Sequence, residues 1–283
     1  MNPISVNELT ESVNSNLPRD IKTTIAKNIL ADEKDSEIAK NIFSELINDL
    51  SSKTQREVVN ATGTVLHTNL GRSPNNISFP GRYTNIEYDF KTLSRGKRNE
   101  YLTVLMNNLI GSEDMAFVNN NASSLFLSLK AISKSHNIQN VIISRGEIIE
   151  IGGSYRLPEI INETGLNLIE IGTTNKTKLS DYKKALESYP NSLILKVHRS
   201  NFTINGFTED VSIAELAELK NKFDVFLFHD LGSGLVIDKK FLEINNINIF
   251  KNESFVQDSI SDGSNLVMFS GDKLFGSVQS GMI

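Results

Sequence analysis

The amino-acid sequence predicts an α/β protein: a mainly parallel sheet wrapped by helices, preceded by a small helical unit. Three observations carry that prediction. From about residue 98 onward, short β-rich apolar runs alternate with helical segments, the pattern of a sheet covered on both faces. Before residue 57 the apolar residues recur at helical spacing instead. The residues that follow the apolar runs are nearly all polar, small or charged. Open α/β sheets bind ligands beyond the carboxyl ends of their strands.

Residues 1–56 are expected to form the helical domain. In PRDIKTTIAKNIL (18–30), Pro18 stands at a first helical position, where its missing N–H costs little. DSEIAKNIFSELINDL (35–50) puts Ile38, Ile42, Phe43, Leu46, Ile47 and Leu50 on one face, with Asp35 or Ser36 as N-cap. SSKTQRE (51–57) reads as a linker, and residues 57–283 as the large domain. There RNEYLTVLMNNLI (98–110) is helical, MAFV (115–118) is a strand, and a helix follows NNNAS (119–123). Strands are predicted at NVIIS (140–144), NLIEI (167–171), SLILKV (192–197), DVFLFH (224–229) and NLVMFS (265–270). Helices are predicted from Pro158, over 180–188, over 211–221 and near 254–261. DKKFLEINNINIFKNE (238–253) is an insertion of no assigned form.

Composition excludes several function classes. A chain of 283 residues with 39% hydrophobic residues buries a sizeable core. Its net charge of −5 provides no global basic field for nucleic acid, so a polyanion must meet a local patch. The sequence holds no cysteine, which excludes disulfides, thiolate metal sites and cysteine nucleophiles. MNPISVNELTESVNSN at the N-terminus lacks a charged segment followed by an apolar core. No apolar run approaches the roughly 18 residues of a membrane span. A cytoplasmic protein with no membrane partner and no metal is expected.

Three strand-end segments suggest chemistry. In VFLFHDLGSG, Asp230 ends the most apolar strand and, partly desolvated, would favour a cationic partner. Taken alone it is equally a helix cap or a structural ion pair. In FVNNNASS a strand passes into an Asn-rich turn and a helix beginning near Ala122, whose free amides suit a phosphate. Taken alone this is a capping turn. In NLVMFSGDK, Lys273 follows a strand in a loop of small residues, where a lysine can form a Schiff base with an aldehyde cofactor. Taken alone it is a surface lysine. Together they are the parts pyridoxal phosphate needs, in order along the chain, with the aspartate 43 residues before the lysine. This is the layout of the aspartate-aminotransferase-like, fold type I large domain.

Longer strings narrow the reading. VVNATGTVLHTNLGRS (58–73), FKTLSRGKRNEYL (90–102), SRGEIIEIGGSYRLPEII (144–161), EIGTTNKTKLSDY (170–182), LKVHRSNFTINGFTED (195–210), HDLGSG (229–234) and FSGDKLFGSVQSGMI (269–283) resemble the bacterial L-seryl-tRNA(Sec) selenium transferases, the selenocysteine synthases, in correct order. The resemblance implies pyridoxal 5'-phosphate as cofactor and conversion of seryl-tRNA(Sec) to selenocysteinyl-tRNA(Sec) with selenophosphate. Water is eliminated and selenium adds to an aminoacrylyl-tRNA. It implies that Lys273 anchors the cofactor and moves the Cα proton, that Asp230 holds the pyridinium, and that Asp272 assists acid–base steps. Asn120, Asn121, Ala122 and Ser123 would hold the phosphate, with Ser270 beside them and His198 at the ring or phosphate. Arg95 and Arg98, with Lys97, would meet the selenophosphate anion. Arg72 and Arg145 are further anion candidates, and His67 a further polar one.

In that family an N-terminal helical domain recognises tRNA and a ring of dimers carries the sites. Residues 1–56 have the matching position but a net charge of −2, so binding would depend on a few cations such as Arg19, Lys22 and Lys27. Two departures stand out. Arg199 replaces a small hydroxyl residue common in the family, and RGKRNEYL is an atypical version of its segment. Enzymes of this fold continue past the lysine, so a large domain truncated at its C-terminus, with no C-terminal small domain, is expected. The competing readings are a related lyase or transferase acting on a free amino acid and a catalytically incomplete fragment.

Overall fold

The computed structural model describes residues 3–53, 57–75, 77–78, 81–153, 155–250 and 252–283. Residues 54–56 of the expected linker, Ser154 and Lys251 lie outside the described residues. The chain divides into two compact units, Met1–Ala61 and Thr62–Ile283.

The first unit holds α1 (Val6–Glu11), α2 (Arg19–Asp32) and α3 (Ser36–Ser52). Ser5 and Glu8 close a capping box on α1. Asp35 caps α3 by accepting from the amides of Glu37 and Ile38. Pro18 is the N-cap of α2 rather than its first helical residue. Leu9, Ala26, Phe43 and Ile47 form the core. The apolar face of α3 is narrower than expected: Ala39, Phe43 and Ile47 are buried, whereas Ile38, Ile42 and Leu46 are 48%, 42% and 38% exposed. Two short partner helices cover one row of i, i+4 positions, not two adjacent rows. The expected cation strip is also altered. Lys22 is buried and donates to the Val13 carbonyl, and Arg19 pairs with Glu11 and Asn7; Lys27 is exposed.

In the second unit, a hairpin of β1 (Tyr88–Asp89) and β2 (Ser94–Arg95) precedes α4 (Glu100–Ile110). The alternating region follows: β3 (Phe117–Val118), α5 (Asn121–His136), β4 (Asn140–Ser144), the hairpin β5 (Glu150–Ile151) and β6 (Tyr155–Arg156), α6 (Leu157–Glu163), β7 (Asn167–Ile171), α7 (Leu179–Ser188), β8 (Ser192–Val197), α8 (Ile213–Phe223), β9 (Phe226–Gly232), α9 (Lys239–Ile244), α10 (Val256–Ser261), β10 (Leu266–Ser270) and β11 (Gly281–Met282). Seven strands form one sheet in the order β3-β11-β10-β9-β8-β4-β7. From β10 to β7 the pairings are parallel; β11 runs antiparallel between β10 and β3.

Burial on both faces explains the unbroken apolar runs. Val141 and Ile143 of β4 and Leu193, Leu195 and Val197 of β8 pack with Leu125 and Leu129 of α5 and Ile160 and Ile161 of α6. The intervening Ile142 and Ile194 face Tyr182 and Leu186 of α7 and Leu216 of α8. The period of two then decides the site. On β9, Phe228 belongs to the α5 face, so Asp230 two residues on shares it, and His229 turns to the opposite face beside Ser259 of α10. The insertion 238–253 resolves into α9 and a turn that ends on Glu253, whose amide bonds the Phe250 carbonyl.

Candidate functional site

A cleft of about 1320 Å³ opens at the carboxyl ends of the parallel strands. Its walls include Arg72, Asn119–Ser123, His198, Asp230, Gly232, Ser233, Glu253, Ser270 and Lys273. Most of these side chains arrive from the loops at the carboxyl ends of the strands, as the parallel topology dictates.

Asp230 is 3% exposed. One carboxylate oxygen, Oδ1, accepts from Asn121 Nδ2 at 2.7 Å and from the Gly232 amide at 3.1 Å. Oδ2 has no hydrogen-bond partner among the described residues. Burial pushes the Asp230 carboxyl above its ordinary value, against the hydrogen bond from Asn121 and the charge of Lys273. The result is a fixed, buried carboxyl with one bare oxygen, a fit for a protonated ring nitrogen.

At the start of α5, Asn120 caps the Ser123 amide at 2.8 Å, and the Ser124 amide reaches the Asn120 carbonyl. The Asn121 and Ala122 amides have no acceptor among the described residues, and the buried Asn121 Oδ1 and Ser124 Oγ have no hydrogen-bond partner there. A 16-residue helix thus presents unpaired polar groups at its positive end, the geometry that receives a phosphate. Gly281 lets β11 lie against this end, because a Cβ there would overlap the Asn120 carbonyl and Ser124 Oγ.

Lys273 lies after β10, half-buried. Its Nζ has no hydrogen-bond or ion-pair partner among the described residues. A Cβ built at Gly232 would sit 3.9 Å from that Nζ. Burial, and after it the Arg72 guanidinium, holds the Lys273 ammonium below its ordinary value; Asp230, Asp272 and Glu253 pull the other way. Such an amine is the nucleophile that forms a Schiff base with an aldehyde. Asp272 is 5% exposed and takes Arg72 Nη1 on both oxygens at 3.1 and 3.2 Å, which fixes Arg72 on the cleft wall.

His198 ends β8. Its amide bonds the Asp230 carbonyl at 2.8 Å, its Nε2 lies 3.2 Å from Glu253 Oε2, and its Nδ1 lies 3.3 Å from Ser254 Oγ. On the other face of the sheet Lys196 pairs with Glu147 and Asp210 at 2.5 and 2.6 Å. Arg199 donates to Asp210 at 2.9 Å, and the Val197 amide donates to Glu147 at 2.9 Å.

These features match a family model. Residues 58–283 match the model described as SelA, L-seryl-tRNA selenium transferase. The chain belongs to this family. The L-seryl-tRNA(Sec) selenium transferase of Aliarcobacter butzleri is 40% identical over 285 aligned residues, covering 94% of this chain and 61% of that protein. The one from Moorella thermoacetica is 46% identical over 235, covering 81% and 48%. The chain therefore spans about half to three-fifths of the length of these curated relatives. Among solved structures it is similar to D-glucosaminate-6-phosphate ammonia-lyase, with TM-score 0.51 and 16% identity, over 65% of this chain and 46% of that one; at that identity the likeness concerns the fold. The fold is the aspartate-aminotransferase-like, fold type I architecture, and the selenium transferase family is a family of pyridoxal phosphate-dependent enzymes.

Of the residues the sequence singled out, Lys273, Asp230, Asn120, Asn121, Ala122, Ser123, His198, Ser270 and Arg72 meet in this cleft. Asp272 lies behind it, bound to Arg72. Arg95 and Arg98 do not line it; both pair with Glu87, and their side chains are 82% and 74% exposed. Arg145 pairs with Glu170. His67 caps a short 3-10 turn, its Nδ1 accepting from the Asn69 amide. Arg199, the departure from the family pattern, is held by Asp210. Sequence reasoning missed Glu253 and Glu147: Glu253 reaches His198 across 55 positions and Glu147 reaches Lys196 across 49, and neither lies in a periodic segment. No helix among the described residues is long and apolar enough to cross a membrane.

Proposed function

We propose that this chain binds pyridoxal phosphate in the cleft and acts as an L-seryl-tRNA(Sec) selenium transferase, making selenocysteinyl-tRNA(Sec) from seryl-tRNA(Sec) and selenophosphate in the cytoplasm. The observation that carries the reading is the unpaired, half-buried amine of Lys273 beside Asp230 and the open end of α5. When bound there, the cofactor supplies a sink for the electrons left as a Cα proton departs.

The chain's own residues then divide the work. Lys273 anchors the aldehyde carbon and, once released, takes the Cα proton on Nζ. Asp230, aimed by Asn121 and the Gly232 amide, keeps a ring nitrogen protonated. Asn120 sets the first turn of α5, so that the Asn121 and Ala122 amides, with Ser123, receive the phosphate; Ser270 borders it. His198 bounds the ring. Arg72 is the guanidinium that the cleft presents to an anionic donor, and Asp272, behind the cleft, holds it in place. Arg95 and Arg98 share the single carboxylate Glu87, so with Lys97 that turn keeps a net positive charge, which supports an anion contact there.

We assign tRNA recognition to the N-terminal helices, a domain of residues 1–56, and the cofactor site to residues 57–283. Assembly as a homo-oligomer, a ring of dimers, is supported by α4, where Tyr101, Leu102, Val104, Leu105 and Leu109 are all exposed.

The test incubates the purified chain with pyridoxal phosphate, selenophosphate and seryl-tRNA(Sec). The reading expects selenocysteinyl-tRNA(Sec), and none from the Lys273→Ala variant. Turnover of a free amino acid without tRNA would replace it with a lyase or transferase reading. Cofactor capture with no turnover of either substrate would overturn the activity and leave a cofactor-binding fragment.

A further inference from the structure

Glu253 belongs to no motif. It closes the segment between α9 and α10, and its carboxylate touches two strand-end loops of the cleft and faces a third. Its Oε2 lies 3.2 Å from His198 Nε2, after β8, and accepts from Ser233 Oγ at 2.8 Å, after β9. The Ser233 carbonyl accepts from the Leu274 amide, next to Lys273. Its other oxygen, Oε1, has no hydrogen-bond partner among the described residues.

We propose that Glu253 is a positioning residue of the cleft: it fixes the orientation and tautomer of His198, and through Ser233 it ties that imidazole to the loop carrying Lys273. The proposal rests on the reading of the cleft as a pyridoxal phosphate site, because His198 is then the side chain beside the ring. A carboxylate only accepts, so His198 Nε2 must carry the proton. Nδ1 is left to receive the Ser254 hydroxyl, and the ring is held from both sides. The amide of His198 bonds the Asp230 carbonyl, so the imidazole and the buried carboxyl share one rigid strand end. Burial alone would raise the Glu253 carboxyl; the hydrogen bonds from His198 and Ser233 and the charge of Lys273 outweigh it and hold the carboxyl below its ordinary value.

The test uses the full chain with ¹⁵N-labelled histidine, in wild type, Glu253→Ala and Glu253→Gln. Without cofactor, nitrogen shifts of His198, assigned with His198→Asn, are expected to report the Nε2–H tautomer in wild type and Glu253→Gln, and a mixture in Glu253→Ala. With pyridoxal phosphate, Glu253→Ala is expected to weaken binding roughly tenfold, the loss typical of a charge-assisted hydrogen bond. Glu253→Gln, which keeps the acceptor, is expected to restore most of it, at unchanged melting temperature. Identical tautomers and cofactor affinities in wild type and Glu253→Ala would overturn the proposal. If wild type binds no cofactor, the cofactor reading fails instead, while the tautomer result still decides the role of Glu253.

Discussion

Two lysines sit at carboxyl ends of neighbouring parts of one sheet, each surrounded by carboxylates and an arginine, and they end in opposite states. Lys196 is joined by Glu147, Asp210 and Arg199, and its ammonium is bonded to both carboxylates. Lys273 is joined by Asp230, Asp272, Glu253 and Arg72, yet its amine is bonded to nothing among the described residues. Burial lowers both; at Lys196 the contacts with Glu147 and Asp210 outweigh it and raise the ammonium above its ordinary value, whereas at Lys273 they do not. The difference lies in where the carboxylates are spent. Asp272 is committed to Arg72 and Asp230 to Asn121 and the Gly232 amide, so neither reaches the amine. The same residue types therefore make a closed ion-pair network on one face and leave an unpaired amine on the other.

Four substitutions or conditions break or sharpen this contrast. The largest effect is expected for Lys273→Ala, which abolishes the borohydride-reducible visible absorption of the chain with pyridoxal phosphate; Lys196→Met keeps that absorption. Next, Lys196→Met strands the fully buried Glu147 and should cost about 3–5 kcal/mol in urea unfolding. A smaller effect comes from His229, between the two clusters on β9. Burial, then the charges of Lys196 and His198, push its imidazole down to about 3. The folded state thus holds it neutral while the unfolded chain protonates near its ordinary value. Stability from this group is complete above about 6.5 and is lost as pH falls toward about 3, by about 1.4 kcal/mol per pH unit within that window. Urea unfolding at pH 7 and 5.5 checks it, and His229→Asn should flatten the slope. The smallest effect is expected for Arg72→Ala: without that cation the Lys273 ammonium rises toward its ordinary value, and the pH midpoint for cofactor capture moves upward.

Much of this arrangement is legible in the sequence because parallel-sheet topology is local. Strands buried on both faces read as unbroken apolar runs whose carboxyl ends bind ligands, so Asp230, the Asn120–Ser123 turn and Lys273, each ambiguous alone, could together be placed on one cleft. What escaped is what depends on contacts between distant segments. Arg95 and Arg98 look like Arg72 in sequence, and only the fold separates a guanidinium on the cleft wall from two on a solvent-facing hairpin. Glu253 falls in a segment with neither helical nor strand period, so nothing local marks it as the partner of His198. On α3, periodicity identified apolar positions but not which of two adjacent rows the small first unit would cover.

The most direct measurement of the central claim is to load the chain with pyridoxal phosphate, reduce it with borohydride, digest it and locate the modified lysine by mass spectrometry. The account predicts modification at Lys273 and none at Lys196. Modification of Lys196 or of a scatter of surface lysines, with Lys273 unmodified, would contradict it.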